Sequence, residues 1–162
     1  MTSGAKAMIS TRSIHRSGTQ VACLGAALVA ALALADCTGE PGRRLPGGYR
    51  LIQKDQYQAL YGPDGRIQRL LQDRNHDGRA EAVVVYGPNG KPERGELDTD
   101  ADGVVDRWEY FRADGTLEKV AVSRRRTGRP DRWEHVGPDG RVYQIDFDED
   151  GDGKVDRSEY PR

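Results

Sequence analysis

Cysteine is nearly missing from this chain: among 162 residues only Cys23 and Cys37 carry a thiol, so no disulfide can staple the residues beyond Cys37. Windows suited to helix are missing as well, because glycines or prolines interrupt every candidate stretch after residue 48. The exception is 50–60, where Leu51-Ile-Gln-Lys-Asp-Gln-Tyr-Gln-Ala-Leu60 suits either a short helix or a lead-in strand. No apolar run reaches the roughly 20 residues that a transmembrane helix needs. Nor is there a basic excess. Three of the 25 Lys and Arg and one of the 26 Asp and Glu precede Cys37, which leaves the remainder slightly acidic and argues against a nucleic-acid binder. His76 and His135 lack metal-ligand spacing and no Ser or Cys nucleophile motif stands out, so an enzyme is not expected.

The first 36 residues differ from the rest. Lys6, Arg12 and Arg16 lead into 21–35, which is apolar apart from Gly25, and this order of charge then apolar run is that of a secretory signal peptide. Leu34-Ala35-Asp36-Cys37 resembles the lipobox of bacterial lipoproteins, with Asp36 where that family has Gly, Ala or Ser. The resemblance implies that Cys37 is lipidated and tethers an exported protein to a membrane of the bacterial cell envelope. Ala33-Leu34-Ala35 also fits an A-x-A cleavage site, which would instead release a soluble secreted or periplasmic protein. Residues 37–48, rich in glycine and proline after the cysteine, read as a flexible tether, and 49–162 as one repeat domain of modest core.

What is present is a period. Gly78, Gly103, Gly128 and Gly153 lie 25 residues apart, and so do Tyr61-Gly-Pro-Asp-Gly65, Tyr86-Gly-Pro-Asn-Gly90, Phe111-Arg-Ala-Asp-Gly115 and Val136-Gly-Pro-Asp-Gly140 half a unit away. Two turn signals per unit imply two short elements per unit. Pro sets φ near −65° and Gly supplies the permissive position of a hairpin turn, while flanks such as Val105-Asp-Arg-Trp-Glu-Tyr-Phe111 are rich in β-branched and aromatic residues. The expected fold is all-β: an antiparallel meander of four tandem β-hairpin units, about eight strands, with the glycine loops between hairpins. A hairpin this short cannot bury its own face, so stability must come from stacking unit on unit. Alternation puts Trp108 with Tyr110, Val83 with Val85, Trp133 with His135 and Ser158 with Tyr160 on what is expected to be the apolar face. Arg107 with Glu109, Arg132 with Glu134 and Arg157 with Glu159 are expected on the other. In length and in its Tyr-x-x-[DN]-Gly turn the unit resembles the β-hairpin repeats of the MORN type.

The loops between hairpins carry the chemistry. Asp98-Thr-Asp100-Ala-Asp102-Gly103-Val104-Val105-Asp106-Arg-Trp-Glu109 and Asp148-Glu-Asp150-Gly-Asp152-Gly153-Lys154-Val155-Asp156-Arg-Ser-Glu159 both match the EF-hand calcium loop. Ligands are expected at positions 1, 3, 5, 9 and 12, with Val104 and Lys154 at position 7, where that loop supplies a backbone carbonyl. Calcium, a hard cation, takes about 6 to 8 oxygens, and alternating aspartates around a tight glycine turn offer several at once. The first unit, with Asp73, Asn75, Asp77, Arg79 and Glu81 at positions 1, 3, 5, 7 and 9 but Val84 at 12, is a weaker site. The third reads Ser123-Arg-Arg125-Arg-Thr127-Gly128, which is expected to be a solvated turn without a cation, or to lend Arg124, Arg125 or Arg126 to an acidic neighbour.

EF-hand loops lie between helices, whereas hairpin strands flank these. Asp73-Arg-Asn-His-Asp-Gly-Arg-Ala-Glu-Ala-Val-Val-Val85 resembles the strand-flanked calcium loops of FG-GAP repeats, a resemblance that implies an acid at position 9 facing the metal. An acid stands at position 9 in all four units, while Glu134 keeps position 12 in the unit without aspartates, where pairing with Arg132 would employ it. Asp106 and Asp156 are therefore stronger ligand candidates than Glu109 and Glu159. The functional expectation is a calcium-stabilised, membrane-tethered envelope protein with a structural or ligand-binding role. The alternative is a metal-independent interaction module that uses its Trp and Tyr columns.

Overall fold

The computed structural model describes residues 42–161. The expected signal peptide and Cys37 lie outside the described residues. Eleven strands form one antiparallel sheet in strict chain order: β1 Arg43–Arg44, β2 Arg50–Lys54, β3 Tyr57–Tyr61, β4 Ile67–Gln72, β5 Ala82–Tyr86, β6 Pro92–Leu97, β7 Arg107–Phe111, β8 Leu117–Val122, β9 Arg132–Val136, β10 Val142–Phe147 and β11 Arg157–Glu159. Apart from a 3-10 turn at Pro46–Gly48, no helix occurs among the described residues. The all-β hairpin meander is thus the fold. Eight of the strands, β3 to β10, are the four expected hairpins. Residues 50–60 give strands, joined at Asp55 and Gln56, and β11 opens a further unit. The sheet also begins earlier than the composition suggests, since Arg43 and Arg44 pair with Leu51 and Arg50 where a tether was expected.

The turn that closes each of those four hairpins is a three-residue loop ending in a left-handed glycine. Gly62 N donates to Arg66 O at 2.8 Å, Gly65 has φ +78°, and the register slips by one residue between Leu60 and Tyr61. The same slip recurs in β5/β6, β7/β8 and β9/β10. Such a bulge lets Pro92 start β6, where its missing N–H costs no ladder bond.

Burial corrects the expected faces. The largest fully buried side chains are Leu70, Val84, Glu109, Val120 and Val136, whereas Trp108, Tyr110, Trp133 and His135 are only half-buried and their face is fully closed only at the small Ala121, between the two tryptophans. Cross-strand register aligns Ala59, Leu70, Val84, Gly95, Glu109, Val120, Glu134 and Ile145 into one row across the sheet, and this row is the buried one. The residues that begin the short turns, Tyr61, Tyr86, Phe111 and Val136, share its parity and add apolar area to that face. The Arg–Glu pairs lie on it too, with their charges satisfied along one strand: Arg107 Nη2 meets Glu109 Oε1 at 3.0 Å and Arg132 Nη1 meets Glu134 Oε1 at 2.6 Å. Glu109 fits beside Gly95, whose absent side chain leaves it room.

Because strands alternate in direction, the four three-residue turns fall on one edge of the sheet and the glycine loops, with the Asp55–Gln56 turn beside them, on the other. Successive loops are two strands, or about 10 Å, apart.

Candidate metal centres

Four loops share one backbone frame. Position 4 is left-handed in each, at His76, Ala101, Arg126 and Gly151, with φ of +59°, +59°, +54° and +86°. Position 6 is always glycine, from φ +71° at Gly128 to +91° at Gly103. Position 1 closes the loop by accepting from backbone amides within it. Asp98 Oδ2 takes Gly103 N at 2.7 Å and its Oδ1 takes Asp102 N at 3.2 Å. Asp148 takes Gly153 N at 2.9 Å and Gly151 N at 2.6 Å, and Asp73 takes Gly78 N at 3.0 Å. In the third loop the Ser123 hydroxyl does this work for Thr127 N at 3.1 Å.

Position 9 folds back over the loop's start. Asp106 accepts from Thr99 N and from Thr99 Oγ1, the latter at 2.6 Å, and Asp156 Oδ2 accepts from Glu149 N at 2.7 Å. Glu81 Oε2 accepts from Arg74 N at 2.6 Å. Its longer arm reaches the same place that aspartate reaches in the other loops.

This folding gathers carboxylates. Asp98, Asp100 and Asp106 bring one oxygen each to within 4.8 Å of one another, and so do Asp148, Asp150 and Asp156, and Asp73, Asp77 and Glu81. Positions 1, 3 and 9 converge in the complete loops, and 1, 5 and 9 in the first. At such spacing each pair of charges repels by about 1 to 3 kcal/mol between watery and surface-like dielectric. A divalent cation at the centre would reverse the sign of that sum. The donors are all oxygen, which suits a hard cation such as calcium and not a thiolate- or imidazole-seeking one. The first loop offers a further fit: Asp73 Oδ1 is buried and has no hydrogen-bond partner, an expense that coordination would remove.

The acids at position 5 of the two complete loops and at position 12 stand apart from these groups, while Asn75 borders one of them. Asn75 bonds to Asp77, its Nδ2 lying 3.1 Å from Oδ2. Asp102 Oδ1 accepts from Val104 N at 2.8 Å, and Asp152 accepts from both Lys154 N and Lys154 Nζ, which hold its carboxyl below the ordinary aspartate range. Position 12 belongs to the sheet. Glu109 is buried against Arg107, and the exposed Glu159 pairs with Arg157.

The third loop is exposed at 124–127, yet Arg124 and Arg125 turn inward to an acid of their own loop. Asp131, buried at position 9, accepts from Arg124 Nε and Arg125 Nε at 3.0 and 3.2 Å and from both backbone amides. Burial pushes its carboxyl upward, but these four donors outweigh it and hold the group below the ordinary aspartate value. Arg125 stands at position 3, where the other loops carry Asn75, Asp100 and Asp150. The position-9 acid without position-1 or position-3 acids beside it was the signal that Asp131 would take its partners from the arginines of its own loop.

The loops also touch one another. Asp98 N donates to Glu81 O at 2.8 Å, Ser123 N to Asp106 O at 2.8 Å and Asp148 N to Asp131 O at 3.0 Å, so position 1 of each loop hangs on position 9 of the one before. A shallow groove between the first two loops is lined by Asp77, Arg79, Glu81, Asp98 and Asp102 among others.

No family model matches the chain, and no match to a curated protein is found. Among solved structures, the GtfA/B complex bound to UDP and GlcNAc is similar at 12% identity and a TM-score of 0.50, over 73% of this chain and 25% of that one. TarM is similar at 11% identity and 0.48, over 62% and 19%, and accessory secretory protein 1,2 and 3 of Streptococcus pneumoniae at 14% and 0.47, over 70% and 23%. The chain therefore spans a quarter or less of the structures it resembles. The likeness is one of fold.

Proposed function

We propose that this is a calcium-binding β-repeat protein, lipidated at Cys37 and held on a bacterial envelope membrane, where the ions stiffen a sheet that serves a structural or ligand-binding role. The observation that carries the reading is the convergence of three carboxylates in each of three loops, set against a fourth loop of the same frame in which arginines take the cation's place. The acids at positions 1 and 9 also close the loop through its amides, but a loop that merely turned the chain would not need a third acid converging on them. Calcium would act on stability by mass action, since only the folded loop brings positions 1 and 9 together. Exported modules bind calcium with Kd of about 10⁻⁴ to 10⁻³ M, weak enough to depend on the ion's abundance outside the cytosol. Binding or scaffolding is favoured over catalysis because the acids serve loop closure and the half-buried His135 is spent on Asp146, 2.8 Å away.

Calorimetric titration of calcium into the full chain after chelation, with melting followed by tryptophan fluorescence, tests the proposal. Two or three bound ions and a raised melting temperature are expected. Absence of heat and of any shift at millimolar calcium would leave the loops as turns only.

A further inference from the structure

The two complete loops are alike in sequence but not in surroundings. Arg126, at position 4 of the third loop, reaches sideways to the second, where its Nη1 lies 2.8 Å from Asp100 Oδ2. Asp100 is one of the three converging acids there. On the other side, Arg125 Nη2 donates to the backbone carbonyl of Asp148 at 2.7 Å and leaves the carboxylates of the fourth loop unpaired with it. Arg126 thus sets its charge directly on a carboxylate of one neighbour, whereas Arg125, which meets the other neighbour's backbone, shares its charge with Asp131 of its own loop.

Resting on the calcium reading above, we propose that Arg126 is an affinity-setting residue: a tethered cation that competes with the divalent ion for Asp100, so that the fourth loop fills before the second. The backbone holds it for this task. Arg126 is left-handed at φ +54° and its N–H donates to Ser123 O at 3.2 Å, which fixes where the side chain departs. At the same position the other loops carry His76, Ala101 and Gly151, and among the described residues only Arg126 pairs with an acid of a preceding loop. When the ion enters, the arginine must leave Asp100 or remain as a like charge a few ångströms from the metal. Either course weakens binding. A mostly exposed unit charge at that distance from a divalent ion is worth about a three- to tenfold change in Kd.

The test reads each loop by its own amide. Gly103 N and Gly153 N donate to the position-1 aspartates and will shift when metal binds, so calcium is titrated into the isotope-labelled full chain while both signals are followed. In the wild type Gly153 should reach its midpoint at lower calcium than Gly103. In Arg126→Gln the Gly103 midpoint should fall about three- to tenfold while Gly153 moves less than twofold; Arg126→Lys should keep most of the gap. Raising ionic strength should narrow the gap in the wild type, because the competing charge is exposed. A Gly103 midpoint unchanged in Arg126→Gln, with both loops still binding, overturns the competition alone. If neither glycine responds to calcium, the binding reading fails and the competition falls with it.

Discussion

Ala101 and Gly103 occupy the two left-handed positions of the second loop, and they meet different costs. Ala101 holds φ +59° with a β-carbon, where Gly151 serves the fourth loop without one. Ala101→Gly should therefore stabilise by about 0.5–1 kcal/mol, the strain relieved exceeding the entropy lost, as denaturant melts with calcium absent would record. Gly103, at φ +91°, has Arg79 Nη1 3.2 Å from where a β-carbon would stand. Gly103→Ala should cost about 1–2 kcal/mol, nearly all of it from the backbone, since the end of an arginine can move aside. Asp131 carries a pH signature. Its carboxyl is held below the ordinary value of 3.8, so its contribution is present above that pH and is lost as pH falls through the lower folded value. Asp146 behaves alike: burial raises it, but Gln144, Ser158 and His135 together bring it down. Stability measured from pH 5 to pH 2 should decline less steeply in Asp131→Asn than in the wild type. The variant should also lose about 1 kcal/mol at neutral pH, no more, because both guanidiniums are nearly half exposed and water screens them.

At the scale of the strand, Glu109 separates a metal ligand from a structural acid. It lies on β7 between Gly95 and Val120, fully buried and joined to Arg107. Glu109→Gln should lower stability by about 1–3 kcal/mol, since it weakens one half of a buried pair. It should also leave the Gly103 calcium midpoint within twofold of the wild type. A large loss of affinity would instead make Glu109 a ligand. The same element shows how far local chemistry is legible in a sequence. The 25-residue spacing and the turn residues located β3 to β10 because Gly and Pro act through the local backbone. The converging acids were legible for the same reason. The buried face was not. Alternation alone assigned Trp108 and Tyr110 inward, whereas burial is decided across strands, where Leu70, Val84 and Val120 align with Glu109 and not with Trp108. That Arg124 and Arg125 would pair with an acid was one of two readings open in the sequence, but which acid was not legible, because it depends on Asp131 folding back across the loop. β1 and β11, the outermost of the described strands, have only two and three residues.

Across the whole molecule the sheet is a line. Strands meet chiefly their neighbours in the chain, and no second layer covers either face among the described residues, so each hairpin's stability rests on its own loop and on the two beside it. Damage should then spread by adjacency. Asp148→Ala removes the acid that closes the fourth loop and accepts Gly151 N and Gly153 N, and that loop joins β10 to β11 at the end of the line. Asp98→Ala makes the equivalent change at the second loop, which has three strand pairs on its C-terminal side before the fourth loop is reached. Hydrogen exchange in saturating calcium should show the first variant opening β10 and β11 while β3 to β6 keep their wild-type protection. The second should raise exchange in both β6 and β7 and extend outward with diminishing size. Adding a chelator to the wild type should reproduce both patterns together, with least change at the third loop, whose cations are its own side chains. Uniform loss of protection in every variant would mean that the sheet unfolds as one unit, and that the loops are joints of a single cooperative body and not separate stiffeners along a line.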